Sequence, residues 1–304
     1  MRRLKSMSNH QVLFLLSFLF VASAVISLIL NLTSNHASMM NWLEGWLQNF
    51  SSEAAGAMAG FVFFTEIIDS RRRKQRLVLD MHNSANDNAI SAVDEMREAG
   101  WLCDGSLQGL NLVGAQLADA NLMQADLSGC DLREADLTRA VMLRARLEGT
   151  RLMQTNLTRA SLQEADLRSA RLDSAQLAEA NLEGTRLEKV SLVGANLQGA
   201  DLWKADLRLA DLSVANCQRA MFCQADLRGS DLARADLRGA NLWQARLAGV
   251  MNFSEAVFDR NTTLPDGMRW TENADLEIFS DIHHPKFWQP TSPMQFDRVP
   301  DNTL

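Results

Sequence analysis

His283-His284 comes nearest to a chemical site in this sequence, because adjacent imidazoles can contribute to a metal centre. The other histidines, His10, His36 and His82, lie far away, and no acid or cysteine accompanies the pair at a recognised ligand spacing. No metal is expected, and the pair is assigned to a C-terminal cap. Cys103, Cys130, Cys217 and Cys223 form no Cys-x-x-Cys pair, which argues against a disulfide framework or zinc site and suits a reducing compartment. Phosphate-cradling glycine loops, the His-Glu-x-x-His helix and the Gly-x-Ser-x-Gly elbow are all missing. The chain is therefore read as non-enzymatic and without a cofactor. Its formal charge of −7 over 304 residues argues against nucleic acid as a partner.

Carboxylates do recur at close intervals, but only as part of a period that carries no catalytic information. Of 28 positions spaced by five from Leu112 to Leu247, 25 are Leu, with Met142, Cys217 and Phe222 as exceptions. Two residues earlier, from Leu110 to Ala245, 21 of 28 are Ala, and most others are small. A helix would rotate successive leucines by about 500° and smear them round every face. A strand would flip each to the opposite side, since five is odd. A chain that turns a corner every five residues instead buries every Leu and its preceding small residue, leaving three positions to water.

The pattern Ala-[Asp/Asn]-Leu-x-x, as in Ala165-Asp-Leu-Arg-Ser and Ala240-Asn-Leu-Trp-Gln, resembles the pentapeptide-repeat family. That resemblance implies an all-β repeat domain, a right-handed quadrilateral β-helix with four repeats per coil, hence about seven coils. Stacked like neighbouring strands, they would make a rod on the order of 35 Å tall. Its small-residue core leaves no cavity for a substrate. The flanks in NFSSEAAGA, GWLCDGSL and LPDG…W…HPKFW resemble one membrane-tethered group of the family, which leaves the activity open. The β-helix is assigned to 101–267, ending where the phase slips through Phe253, Phe258 and Leu264 into the Pro265-Asp-Gly267 turn. Residues 268–304, with Trp270, Phe279, Phe287 and Trp288, form a cap and frayed tail.

Positions 20 apart should stack. One column reads Asp126, Arg146, Asp166, Arg186, Asp206, Asp226, Arg246 and another Glu148, Arg168, Glu188, Arg208, Arg228; both are expected to be solvated ladders of small net stability. Soluble family members that protect a topoisomerase by resembling DNA give an alternative function, but mimicry needs a strongly acidic surface. Between Trp101 and Val250 there are 19 acids and 17 bases. A third column, Met123, Leu143, Gln163, Glu183, Trp203, Cys223, Trp243, departs from the polar rule. Trp203, Cys223 and Trp243 are the candidate protein-binding residues, the two indoles about 10 Å apart with a thiol between them. Either a protein partner or the aromatic tail would cover them.

The N-terminal third organises differently. Residues 1–70 read as an α-helical transmembrane hairpin. The first span, about 11–32, is uncharged and long enough to cross a bilayer. Ala22-Ser23-Ala24 offers a signal-cleavage alternative, but the apolar run continues beyond it. The second span, about 51–68, is bounded by Glu53 and Glu66 and followed by Arg71, Arg72, Arg73, Lys74 and Arg76, which suit anionic headgroups. With the basic first residues they put both termini on the cytoplasmic side of an inner membrane. Gly56 and Gly60 form a GxxxG pair, fitting either homo-oligomerisation or packing of span two on span one. Residues 71–100 are a basic connector and a capping helix with Ala89, Ile90, Val93 and Met96 at helical spacing, stopped by Gly100.

Overall fold

The computed structural model describes residues 67–81 and 86–290 of the chain, which divides into two compact units, Met1–Lys74 and Gln75–Leu304. The expected first span, nearly all of the second, and Gly56 and Gly60 lie outside the described residues. Among the described residues, no helix is long and apolar enough to cross a membrane.

Residues 67–81 form a helix, α1. Arg71, Arg72, Arg73 and Arg76 are exposed on it and Lys74 is half-buried, whereas Leu77 and Met81, one turn apart, are buried. The second helix, α2 (Asn86–Glu98), buries Ala89, Ala92, Val93 and Met96 at three- and four-residue spacing. Its stop is a Schellman motif: Trp101 N–H donates to Met96 C=O and Gly100 N–H to Arg97 C=O, with Gly100 at φ 73°. The buried residues of α1 and α2 share one apolar cluster with Leu107 and Leu112, so the N-terminal end of the solenoid core is covered.

From Asn111 onward, parallel bridges join each fifth residue to the one 20 positions later, up to Asp231↔Met251. The pairing makes a four-sided repeat β-helix, and its sides are named by their first bridge residues, Asn111, Gln116, Asn121 and Asp126. Every fifth residue from Gly114 to Gly249, 28 in all, has positive φ, which gives seven coils of four corners. At each corner the carbonyl of the Leu, or of Met142, Cys217 or Phe222 in its place, accepts from the N–H three residues on, as in Ala205 to Leu202 at 3.0 Å, closing a β-turn with its third residue left-handed. Nineteen of these corner residues are not glycine, and they include the β-branched Val214 at φ 60°. Ladder bonds above and below hold them in a conformation that costs such side chains about 1 kcal/mol or more.

The repeat's Asp or Asn follows from an accounting of N–H groups. In Asp201–Ala205, Asp201 donates to Ala180, Leu202 to Met221, Lys204 to Cys223 and Ala205 to Leu202, all backbone carbonyls. Only the Trp203 N–H has no carbonyl, and the Asp201 carboxylate accepts it at 3.0 Å. The same bond recurs from Val113 on Asn111 to Trp243 on Asn241. This outer position, expected simply to face water, is thus a turn cap. Where a threonine replaces the core Ala, its hydroxyl donates to a Leu carbonyl in the coil below, as Thr150 does to Leu127.

Beyond Met251 the register slips twice: Asp236 bridges Val257 and Asn241 bridges Thr263. A 3₁₀ turn (Phe253–Glu255) and a short helix, α3 (Glu277–Ser280), place Phe253 and Phe279 among the closing aromatics. Phe258 stacks on Trp270 at 5.9 Å and Phe279 meets Trp288 edge-on at 5.7 Å. Gly249 N–H donates to Ser280 C=O, tying the tail to the last coil.

Candidate protein-docking face

The corner following the Asn121 side holds the residues singled out by their column. Stacking is direct: Gly184 N–H donates to Trp203 C=O at 2.8 Å, Lys204 to Cys223 at 3.0 Å and Gln224 to Trp243 at 2.9 Å. Trp203 and Trp243 are half-buried, on consecutive odd rungs of one ladder. The Lys204 ammonium sits 4.0 Å from the Trp203 ring centroid, a cation–π contact that steadies the indole.

Cys223 keeps its rung in the column, but its side chain is buried. It is only 5% exposed, and burial pushes its thiol up to about 11, with Asp201 adding to the effect. It occupies the rung between the two indoles, and a thiol raised this far stays protonated near neutral pH. One residue outside the column joins the face, and the column's own first member is exposed as well. Met221, on the Asn121 side itself, is 45% exposed, and Met123, at the foot of the Trp203 column, is 41% exposed. Met221 had a legible signal, being a methionine where most repeats place Asp or Asn.

The chain itself covers part of this face. A methyl group on Gly267 would lie 3.4 Å from Trp243 Cδ1, and Gln244 N–H donates to Pro265 C=O, so the turn after the last coil rests on Trp243. The tail aromatics Trp270, Phe279 and Trp288 pack against the apolar core cluster instead.

The charged columns pair as their alternation suggests, and more closely within a coil than between coils. Arg168 binds Asp166 at 2.7 Å and reaches Glu148 at 3.2 Å; Arg208 binds Asp206 at 2.6 Å and reaches Glu188 at 3.5 Å. Arg208's hydrogen bonds hold the Asp206 carboxyl below the usual range, against partial burial that pulls it up. His284 Nδ1 accepts the Lys286 N–H and its Nε2 lies 3.4 Å from Asp275, so the histidine pair belongs to the tail turn. Among the described residues, no group of three potential ligands could hold a metal ion.

A family model for a pentapeptide repeat region matches residues 120–197, and one for pentapeptide repeats in eight copies matches 215–250. The pentapeptide repeat protein alr5209 from Nostoc Pcc 7120 is 40% identical over 36% of this chain and 78% of its own, with a TM-score of 0.28. The chain belongs to the pentapeptide-repeat family. HetL, a pentapeptide repeat protein involved in heterocyst differentiation regulation in Nostoc sp. strain PCC 7120, is 29% identical over 59% of this chain and 98% of its own, with a TM-score of 0.27. QnrB1, a plasmid-mediated fluoroquinolone resistance protein, is 19% identical over 50% and 84%, with a TM-score of 0.28. A search of curated proteins finds no match. In pentapeptide-repeat terms, Trp203 and Trp243 are the first variable residue of their repeats, the position whose N–H the Asp or Asn caps.

Proposed function

We propose that the chain is a non-enzymatic, membrane-anchored scaffold whose cytoplasmic β-helix docks a protein partner through Trp203 and Trp243. The observation carrying this reading is that Trp203 stands half-exposed one coil below the exposed Met221, on the face with the fewest charged residues. Indoles held rigidly by a ladder lose little freedom on binding, and such residues dominate interface energies. The anchor rests on the apolar sequences 11–32 and 51–68, with Arg71, Arg72, Arg73, Lys74 and Arg76 facing anionic lipid headgroups, and oligomerisation on Gly56 and Gly60. The localisation is an inner membrane with both termini cytoplasmic.

DNA mimicry is the less favoured reading, because the acids of the Asp126 side are interleaved with arginines and paired to them. The test is crosslinking from membranes, comparing the wild type with Trp203→Ala/Trp243→Ala. A discrete partner lost in the double variant is expected. An unchanged set of crosslinked proteins would remove this face as the docking site, and protection of a topoisomerase by the purified chain would favour mimicry.

A further inference from the structure

At the top of the Asp126 side, where the last coil meets the tail, lies a cleft of about 290 Å³. Arg228 and Arg246 form one wall and Phe287, Trp288 and Gln289 the other, and among the described residues no carboxylate lines it. The aromatic wall is fixed by two contacts. Trp288 N–H donates to Ile278 C=O at 2.7 Å, and its ring abuts Phe279, which is itself buried.

The arginine wall carries charge left over from the ladder. Asp226 accepts two hydrogen bonds from the Arg228 guanidinium, at 2.8 and 2.6 Å, which engages both its oxygens. Arg246 stands 4.0 Å from the same carboxylate, whereas its counterparts lower on this side, Arg146 and Arg186, approach theirs to 3.4 and 3.1 Å. No guanidinium hydrogen bond from Arg246 is found among the described residues. Among the described residues the bridges of this side end at this rung, and no acid beyond it pairs with Arg246. An under-neutralised guanidinium beside a planar aromatic wall presents a fork of donors to an anion and an apolar face to whatever bears it.

We infer that this cleft binds a small organic anion, a carboxylate or phosphate monoester carried on a planar ring. The volume falls just below the roughly 300–1,000 Å³ of drug-sized sites, which limits the ligand to about one ring and its charged group. Arg246 supplies the charge-assisted contacts, Arg228 adds its remaining N–H groups, and Trp288 covers the ring. This site is independent of the Trp203 face, which occupies a different corner.

The full-length chain is titrated calorimetrically with phenyl phosphate, benzoate and inorganic phosphate. Saturable binding of at least one aromatic anion is expected, tighter than that of inorganic phosphate. Arg246→Gln should weaken it tenfold or more. Arg219→Gln, which removes the same charge from an exposed corner with no acid within 4 Å among the described residues, should leave it unchanged. Matching thermal melts confirm that both variants fold. Absence of saturable binding at millimolar concentration, equal losses in the two variants, or equal affinity for inorganic phosphate would overturn the assignment.

Discussion

Asp201 Oδ1 accepts the backbone N–H of Trp203 at 3.0 Å, so the residue that completes the turn also sets the indole proposed to dock a partner. The acid of the repeat and the departure from the repeat are therefore one unit. Beside them Lys204, at φ 55°, folds its ammonium back over the same ring.

Replacing Asp201 by Ala should cost about 1 kcal/mol, the net value of a partly solvated hydrogen bond, while Asp201→Asn should cost much less. Both are read from urea unfolding midpoints. If the indole depends on this cap, Asp201→Ala should also weaken partner crosslinking while Asp201→Asn preserves it. Equal behaviour of the two variants would mean that the charge of Asp201, rather than its acceptor oxygen, matters.

Ser230 is a weak point in the core. Among the described residues its hydroxyl is buried without a partner, whereas Thr150, Thr155 and Thr185 at equivalent positions donate to Leu127, Leu132 and Leu162. Ser230→Ala should therefore stabilise the domain by about 1 kcal/mol, since it removes an uncompensated polar group. Thr150→Ala should destabilise it, through a lost hydrogen bond and lost packing. The urea midpoint, at constant slope, reports both.

The Asp206–Arg208 pair predicts an acid-side effect with a definite sign. Arg208's hydrogen bonds lower the Asp206 pKa on folding, so the pair contributes stability above the unfolded carboxylate value of about 3.9 and loses it as pH falls through the lower folded value. Asp206→Asn keeps an acceptor for the Arg208 N–H but has no charge to titrate. Wild type should melt higher at pH 7, and the difference should shrink below about pH 4. A gap that persists at pH 2 would assign the effect to packing.

Topology is best reported by one cysteine. Cys103 is exposed, while Cys130, Cys217 and Cys223 are buried, with burial holding the Cys223 thiol up near 11. In intact cells an impermeant maleimide should leave Cys103 unmodified and label it only after permeabilisation. Labelling before permeabilisation would put the rod outside and make the first apolar segment a cleaved signal. Cys223, which the column pattern makes look equally available, should stay silent in both states.

Four repeats per coil, and with them seven coils and columns 20 residues apart, came with the resemblance to the pentapeptide-repeat family; the five-residue period itself was sufficient for a solenoid with buried Leu and Ala positions. Those features follow from which residues must leave water, and apolar periodicity records that directly. The stop at Gly100 was legible for a similar reason, since a helix end needs a residue tolerant of positive φ.

The outer surface was legible only in part, because composition does not say which polar atom meets which. Asp201 reads as a solvated charge in the sequence and caps a turn in the fold. Cys223 reads as a member of an exposed trio yet has its side chain buried, while Met221 joins the face from the side before the corner. Arg246 has an acid 20 residues earlier, as Arg146 and Arg186 do, yet stands 4.0 Å from it where they approach theirs to 3.4 and 3.1 Å. The sequence alone thus determined a solenoid filled with Leu and Ala, through the burial its period demands. Only the tertiary structure decided which outer groups remain available to a partner or an anion, because that depends on contacts made across coils and with the cap.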